Sequence, residues 1–260
     1  METNIFHSVN EGLYLWNGNT GILIDGIHSG QEIGFSPMPL ELEHQMEQRS
    51  GLFAHLDGVL FTHLHSDHFD AKRLSVLRRQ ADPPEIYCSQ LSDSMISEKL
   101  SDSNICHVKI GEADIFAKDT IHDGEAFAQE AHQSFLIHMG KECFFIAGDA
   151  LLVPQDADIF LSYANKSVDA VFLNIYHAMS EAAHEFLQKL QPRRVFLYHF
   201  PYPQDDAYGY YRWAKQADRR FSKKLPPLEQ LQLMSWVDHS PPKWDSGNLL
   251  NTKMGDLHHV

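Results

Sequence analysis

The amino-acid sequence predicts an α/β sandwich in which two halves, each built from strands and helices, pack with their sheets face to face. Strands, a polar turn and helices follow one another in the first half of the chain, and this order returns in the second half. At 260 residues the chain is long enough to bury one large core. No linker rich in Pro, Gly or Ser divides it, so we expect one domain.

A β-hairpin is predicted near the amino terminus. The mostly apolar segments 13–16 and 21–25 are separated by residues 17–19, whose sequence Asn-Gly-Asn is typical of a tight turn between strands. A loop over 26–36 and a helix over about 39–48 are expected to follow.

A second helix is predicted after Asp70, which can cap it, and it should end before the proline pair 83–84. Residues 85–88 are then apolar enough for a strand. A short helix is expected near 91–100, and residues 105–110 begin a second run of strands.

The second half contains its clearest strand, helix, strand pattern between residues 169 and 199. Residues 170–175 are apolar enough for a buried strand. Ser180 is a good N-cap for the next helix, and Pro192 ends that helix. The strand over 194–199 then carries a histidine at its end.

Beyond about residue 220 the sequence changes character, because proline pairs occur at 226–227 and 241–242. We therefore expect a main domain over 1–221 and a C-terminal extension over 222–260 that packs on the same domain. Basic and aromatic residues alternate between 208 and 224 and predict an exposed helix face, with a place at a pocket rim as the alternative.

The most informative feature is the motif H-x-H-x-D-H, which follows the apolar residues 59–61. Its metal-capable side chains are His63, His65, Asp67 and His68. At a strand end, side chains two residues apart point the same way, so His63 and His65 can bind one cation. The chain then bends, and Asp67 and His68 can reach a second cation. The spacing favours a two-metal centre.

Four neighbouring residues cannot surround two cations and leave a face open for substrate, so further ligands must come from other strands. Three polar residues lie at predicted strand ends. His132 precedes an alternating apolar run, Asp149 follows the apolar residues 143–147 and a glycine, and His199 ends the strand 195–198.

With this motif, then a lone His, a Gly-Asp pair and a late His, the chain resembles the metallo-β-lactamase superfamily over roughly residues 10–200. The resemblance implies an αββα four-layer sandwich with metals at one edge. It also implies seven ligands in two sets that share one carboxylate. The ligands are His63, His65 and His132 for one metal, Asp67, His68 and His199 for the other, and Asp149 for both.

Two metals lower the pKa of bound water from about 15.7 toward about 7. We expect a hydroxide held between them to attack an ester, lactone, thioester or phosphodiester of a small molecule, with Asp67 orienting it. The leaving group also needs an acid. His177 is the first candidate, because it follows the predicted strand and resembles a position facing the site in related lactonases, and His28 is the second. A purely structural hydrogen-bonding role fits either histidine equally well.

Five imidazoles and two carboxylates without a thiolate fit Zn²⁺, which is the default expectation for both divalent ions. Mn²⁺ is the main alternative, because the Gly-Asp and His177 regions resemble the sugar-phosphate lactonase branch, and Fe²⁺ also fits. Two other functions stay open. One is an iron-dependent oxidoreductase of the same fold, such as a persulfide dioxygenase, and the other is a non-catalytic metal-binding scaffold.

The net charge of −14 argues against nucleic acid as a partner, because such binding needs many Lys and Arg contacts to phosphate. No apolar run approaches the ~18 residues of a membrane span, and the polar start of the chain lacks the features of a secretory signal. Three scattered cysteines favour neither a disulfide framework nor a CxxC metal site. We expect a cytoplasmic enzyme with a small-molecule substrate and no membrane partner; assembly into a homo-oligomer is left open.

Overall fold

Two β-sheets stacked face to face form the centre of the molecule, and helices cover their outer faces. A computed structural model describes residues 2–30, 33–95, 97–100, 105–164, 167–239 and 241–245. The layers follow the order helix, sheet, sheet, helix, which confirms the αββα sandwich.

The first sheet contains six strands, five from the amino-terminal half and one from a late segment. They are β1 (Asn4–His7), β2 (Leu13–Trp16), β3 (Gly21–Ile24), β4 (Gly58–Leu60), β5 (Glu85–Tyr87) and β14 (Ser235–Trp236). Their order in the sheet is β14-β1-β2-β3-β4-β5. The predicted hairpin is confirmed as β2 and β3, whereas β3, β4 and β5 run parallel.

The second sheet contains eight strands. They are β6 (Glu98–Lys99), β7 (Ile105–Ile110), β8 (Ala113–Ile121), β9 (Ala131–Met139), β10 (Glu142–Ile146), β11 (Ala170–Leu173), β12 (Arg194–Leu197) and β13 (Leu228–Gln230). In the sheet they follow the order β13-β12-β11-β10-β9-β8-β7-β6. The pairings from β6 through β10 that the structure describes are antiparallel, and the pairings from β10 through β13 are parallel.

Helices connect the strands and cover the two outer faces. They are α1 (Leu40–Gln48), α2 (Ala71–Arg78), α3 (Pro154–Tyr163), α4 (Ile175–Met179), α5 (Glu181–Leu190) and α6 (Tyr210–Arg220). The predicted caps are confirmed, because the Asp70 and Ser180 side chains accept backbone N–H bonds at the starts of α2 and α5. Within the described ranges, none of the helices combines the length and apolar character needed to cross a bilayer.

The alternation of side chains along the strands builds three apolar layers. In β2, Leu13 and Leu15 lie in the layer between the sheets, whereas Tyr14 lies under α1 and α2. In β10, Phe144 belongs to the layer between the sheets, and Phe145 packs against the helices of the second sheet. Both sheets are therefore buried on two faces, which holds their strand ends in fixed positions.

Two local predictions are wrong. The described residues of 91–100 form turns and β6 instead of a helix, because the Met95 N–H bonds to the Ile86 carbonyl of β5. The strand predicted over 170–175 ends at Leu173, since the Asn174 side chain accepts N–H bonds that start α4.

The segment after α6 contributes an edge strand to each sheet. Strand β13 pairs with β12, and β14 pairs with β1. This segment therefore adds hydrogen bonds to the edges of both sheets. The division of the chain at residues 221 and 222 stays a prediction, and residues 246–260 lie outside the described ranges.

One edge of the sandwich collects the polar segments. The carboxyl ends of β10, β11 and β12 lie together because these strands are parallel, and β8 ends there because it pairs with the start of β9. The segments leaving these strands carry His122, Asp149, Asn174 and His199. The turn after β4 meets them, since the rings of His63 and His122 lie 4.8 Å apart.

Candidate metal centre

The turn after β4 folds the H-x-H-x-D-H motif back on itself. The N–H groups of His68 and Phe69 both bond to the His65 carbonyl, at 3.0 and 2.8 Å. This turn places the rings of His63 and His68 only 4.0 Å apart, although five positions separate them in the sequence. The His63, Asp67 and His68 side chains are buried, and His65 is half-buried.

Three histidines form one cluster. One nitrogen each from His63, His65 and His122 lies within 4.8 Å of the other two. The Nε2 atoms of His63 and His122 are buried and have no hydrogen-bond partner among the described residues. A buried nitrogen without a partner is costly in a folded protein, so this cluster has the character of a ligand set.

A second cluster lies beside the first. Its members are Asp67, His68, Asp149 and His199, and Glu11 also places a carboxylate oxygen within 4.8 Å of ligand atoms of the last three. Asp67 Oδ2 is 3.0 Å from His199 Nε2 and 3.4 Å from His68 Nε2. His68 Nε2 is buried without a partner meeting hydrogen-bond geometry in the described chain, and it lies 3.4 Å from Asp149 Oδ2. These four side chains could hold a second cation.

Asp149 lies between the two clusters. Its Oδ2 atom is 3.4 Å from His68 Nε2, 3.7 Å from His122 Nε2 and 3.9 Å from His63 Nε2. The Asn174 amide donates to its Oδ1 atom at 2.6 Å. Asn174 therefore fixes one carboxylate oxygen while the other faces both clusters, which is the arrangement a bridging carboxylate needs.

His132 takes a different position from the one that the resemblance implies. Its Nε2 accepts the Asp149 N–H at 3.0 Å, and its Nδ1 lies 2.7 Å from Thr120 Oγ1. Both ring nitrogens are therefore engaged, and burial lowers the pKa of the ring well below its ordinary value. His132 positions Asp149, and His122 takes the place beside His63 and His65.

Gly148 explains how His132 can approach Asp149 so closely. A Cβ atom at Gly148 would lie 2.6 Å from His132 Nε2 and 2.9 Å from Thr62 Cγ2. The backbone there has φ +60°, a conformation that glycine adopts without a penalty. The Gly-Asp pair is thus required by packing as well as by its acidic residue.

His177, expected from the sequence to be the acid, has no free ring nitrogen. Its Nδ1 accepts the Asn174 N–H at 3.2 Å, and its Nε2–H donates to the Ala150 carbonyl at 2.6 Å. Burial lowers its pKa, so the neutral ring satisfies both bonds. His177 supports Asn174, which in turn holds Asp149. His28 is also buried, and burial lowers its pKa to about 3, so its ring is neutral at physiological pH.

Two buried carboxylates that the sequence analysis missed support the ligand rings. Asp25 Oδ2 accepts a bond from His68 Nδ1 at 3.1 Å, and its two oxygens accept from the backbone N–H and hydroxyl of Thr62. Glu11 Oε1 lies 3.1 Å from His199 Nδ1, and Glu11 Oε2 accepts the Tyr198 hydroxyl. Carboxylates on the Nδ1 side would leave the Nε2 atoms of both rings available to a bound cation.

The charges of the cluster are strongly coupled. Burial lowers the pKa values of His68 and His199, but the surrounding carboxylates outweigh burial and raise both well above the ordinary value. Burial raises the pKa values of Asp67 and Asp149, yet these two histidines hold both well below the usual range. The carboxylates therefore stay ionised in a largely dry environment.

This excess of negative charge fits divalent cations. The carboxyl groups belong to Asp25, Asp67 and Asp149, and to Glu11, whose pKa burial raises to about 7. Within the described ranges, their ion pairs are with histidines and not with Lys or Arg. Buried carboxylates need a compensating charge, and imidazole nitrogens with free lone pairs are suited to sharing a metal with them.

Sequence comparison gives no relative, but structural comparison does. No protein-family model and no curated protein matches the chain. Igni18, a metallo hydrolase from Ignicoccus hospitalis, aligns with a TM-score of 0.57 at 13% identity, over 90% of this chain and 97% of Igni18. YhfI from Bacillus subtilis, a metallo-β-lactamase fold protein, aligns with a TM-score of 0.54 at 13% identity, over 89% of this chain and 97% of YhfI.

A third solved structure is CmlA, a diiron β-hydroxylase from Streptomyces venezuelae. It aligns with a TM-score of 0.58 at 16% identity over 89% of this chain, and this chain spans 53% of CmlA, about half its length. Together with the two stacked sheets and their helical layers, these similarities show that the chain has the metallo-β-lactamase fold.

Proposed function

We propose that the protein is a metal-dependent hydrolase with a two-metal centre that acts on a small-molecule substrate. The observation that supports this most strongly is the convergence of three unpaired, buried Nε2 atoms on one carboxylate oxygen. These atoms belong to His63, His68 and His122, and each lies 3.4–3.9 Å from Asp149 Oδ2.

The proposed ligand set differs from the set implied by the family resemblance at one position. His63, His65 and His122 would hold one cation, Asp67, His68 and His199 would hold the other, and Asp149 could contribute to both. The replacement of His132 by His122 rests on the hydrogen bonds that engage both nitrogens of His132.

Two divalent cations supply a strongly acidified water and polarise the scissile bond. The chain contributes the positions of the donors. Asn174 holds one oxygen of Asp149, Asp25 fixes the ring of His68, and Glu11 lies against His199. Asp67 carries the negative charge beside His199 that keeps this second set together.

An iron-dependent oxidoreductase is the alternative proposal. The similarity to CmlA favours it, because CmlA is a diiron enzyme with the same fold over the aligned region. A donor set of imidazoles and carboxylates without thiolate accepts zinc, manganese and iron alike. The donor set therefore leaves both chemistries open, and a functional assay must separate them.

The test combines metal analysis with turnover. Purified protein is stripped, reloaded with Zn²⁺, Mn²⁺ or Fe²⁺, and assayed on a carboxylic ester, a lactone, a thioester and a phosphodiester, with oxygen uptake recorded in parallel. Hydrolysis of at least one compound by protein that holds two metals per chain supports the proposal. Oxygen uptake by the iron form without hydrolysis in any form contradicts it and favours the oxidoreductase.

A further inference from the structure

Within the described ranges, most of the exposed large apolar side chains lie on the loops around the candidate metal centre. Seven such side chains are exposed, and six of them lie on or directly beside these loops. The six are Ile33, Ile121, Phe127, Leu151, Tyr176 and Tyr208. The seventh, Leu40, begins α1.

One wall of the rim stands beside the three-histidine cluster. The Phe127 ring lies 5.2 Å from the His65 ring and 5.3 Å from the His122 ring, and 47% of its surface is exposed. Ile121 and Leu151 extend this wall, because the Leu151 N–H bonds to the Ile121 carbonyl at 2.7 Å. An exposed phenyl ring against two proposed ligands is not explained by packing of the core.

A second wall lies beside His199. The Phe35 ring stacks on the His199 ring, with the ring centres 5.0 Å apart. The centre of the Tyr210 ring lies 6.2 Å from that of His199. Tyr208 and Tyr176 continue this wall outward, at 6.0 and 6.4 Å from Tyr210. Both outer tyrosines are more than 40% exposed, so the wall presents aromatic faces to whatever occupies the centre.

The charge of the loops around the centre disfavours an anionic group at the rim. These loops are residues 25–30, 33–39, 61–70, 122–130, 147–153, 174–180 and 198–209. They contain no Lys or Arg and nine acidic residues, of which Asp25, Asp67 and Asp149 belong to the centre itself. Glu125 and Glu130 are exposed close to Phe127 in the sequence. Arg212, exposed on α6 beside Gly209, follows the last of these loops by three residues.

We propose that the substrate is an uncharged carboxylic ester or lactone whose acyl part carries a bulky apolar group. This group lies between Phe127 on one wall and Tyr176 and Tyr208 on the other, with the scissile bond at the metals. The proposal rests on the hydrolase function above and narrows it, because a phosphodiester or sugar phosphate would bring negative charge to an acidic rim.

The reaction is ordinary ester hydrolysis. The oxygen of water bonds to the acyl carbon, and the bond from that carbon to the alcohol oxygen breaks. The alcohol leaves with one proton from water, and the second proton is released as the carboxylic acid ionises. No other reactant is required.

The experiment uses metal-loaded protein and p-nitrophenyl esters of acetate, butyrate and hexanoate, with bis(p-nitrophenyl) phosphate as the anionic substrate. Wild type is compared with Phe127→Ala and Tyr208→Ala. Two matched controls are Leu40→Ala, an exposed apolar residue on α1, and Arg212→Ala, an exposed basic residue just after the loop that carries Tyr208. Metal content is measured for every variant.

We expect kcat/KM to rise by up to about fourfold for each added CH₂ group in wild type, since each contributes roughly 0.8 kcal/mol when buried. Phe127→Ala should lower the hexanoate value about tenfold and the acetate value less than twofold, with unchanged metal content. Leu40→Ala and Arg212→Ala should follow wild type.

A flat ester series, an unaltered Phe127→Ala series, or a preference for the phosphodiester that Arg212→Ala removes would each overturn the proposed substrate class. A wild-type dimer that Phe127→Ala dissociates in ultracentrifugation would also overturn it, because a second copy would then be the occupant of the rim.

Failure of the hydrolase function itself is distinguishable from failure of the substrate class. If protein with two metals hydrolyses none of the compounds, calorimetric binding of N-(4-nitrophenyl)hexanamide replaces turnover. Binding that Phe127→Ala weakens at least fivefold supports the apolar site, and binding that this variant leaves unchanged, or no binding, overturns it.

Discussion

The turn at 62–70 and the edge of the eight-stranded sheet both supply donors to the candidate centre, but they do so by different means. The turn brings His63 and His68 together through local backbone bonds within six residues. The sheet edge brings His122 and Asp149 together only because β8, β9 and β10 are neighbours in the sheet. The first arrangement can be predicted from the spacing of residues in the sequence. The second depends on strand order and side-chain direction.

The largest effect is expected where these two regions meet. Asp149→Asn keeps the shape of the side chain but removes the charge that faces both clusters, so kcat/KM should fall more than about a hundredfold, given that outer-shell changes alone cost about 10–100-fold. The free energy of unfolding of the metal-free protein should change much less, because the core is untouched. Steady-state kinetics and urea unfolding measure the two quantities.

Asp158→Asn is the matched control for this variant, because Asp158 is exposed and pairs with Lys189 far from the centre. It should retain wild-type turnover. Equal activities of Asp149→Asn and wild type, both loaded with metal, would contradict the proposal that Asp149 serves both clusters.

A smaller effect is expected from the carboxylates behind the ligand rings. Asp25→Asn loses the acceptor for His68 Nδ1, and Glu11→Gln loses the charge beside His199. Each should weaken metal binding about 10–100-fold. Competition with a chromophoric chelator measures the affinity of both sites. If Asp25→Asn binds metal as tightly as wild type, the bond from His68 Nδ1 to Asp25 is not needed to orient His68.

The packing of the sheet edge against the turn is tested by Gly148→Ala. The new Cβ would lie 2.6 Å from His132 and 2.9 Å from Thr62, in a backbone with φ +60°. Gly140→Ala is the control, because Gly140 has φ +65° but no atom within 4 Å of the added carbon. We expect Gly148→Ala to lower the free energy of unfolding by about 1–3 kcal/mol more than Gly140→Ala does. Equal losses would show that the close approach carries no strain.

The smallest effect concerns a buried histidine outside both regions. Burial lowers the pKa of His7 to about 4, below its unfolded value near 6.5. Between these two pKa values the ring is protonated in the unfolded chain but neutral in the folded chain. The contribution of His7 to the free energy of unfolding is therefore fully present above pH 6.5 and is lost as the pH falls toward 4. Between pH 7 and pH 5 the free energy of unfolding should fall by roughly 1–2 kcal/mol through this group.

His7→Asn should remove this part of the pH dependence, and His44→Asn, at an exposed position on α1, should leave it in place. Urea unfolding at the two pH values provides the comparison. An identical pH dependence in His7→Asn and wild type would show that His7 is not held neutral by burial.

Much of the fold could be predicted because it follows from local rules. The two apolar segments of β2 and β3 and the Asn-Gly-Asn turn between them predict a hairpin, and Asp70 and Ser180 predict helix starts through their capping side chains. The predicted helix over 91–100 is wrong because a tertiary bond from Met95 to Ile86 outweighs local preference. Sequence periodicity contains no information on such contacts.

Some residues of the candidate site could likewise be predicted from local sequence, and others could not. His63, His65, Asp67 and His68 could be predicted from their spacing, and Asp149 and His199 from their place after strands. His132 and His122 could not be distinguished, because Thr120 near the end of β8 pairs with His132 near the start of β9, so both histidines lie at one edge.

Only the direction of each side chain separates these two histidines. His132 turns toward Thr120 and the Asp149 N–H, whereas His122 turns toward His63 and His65. One signal in the sequence was available, since His122 directly follows the long alternating strand β8, and His199 likewise lies just after the end of a strand, β12. Glu11 and Asp25 carried no motif, and only the folded chain brings them behind the rings.

The most direct measurement is the metal content of His122→Gln and His132→Gln, determined by mass spectrometry after reloading and buffer exchange at a metal concentration just above that of the protein. The account predicts two metals per chain in wild type, close to one in His122→Gln, and a value nearer two in His132→Gln, which retains all seven proposed ligands. One metal in His132→Gln with two in His122→Gln would contradict the assignment, and a wild type without bound metal would contradict the proposed centre as a whole.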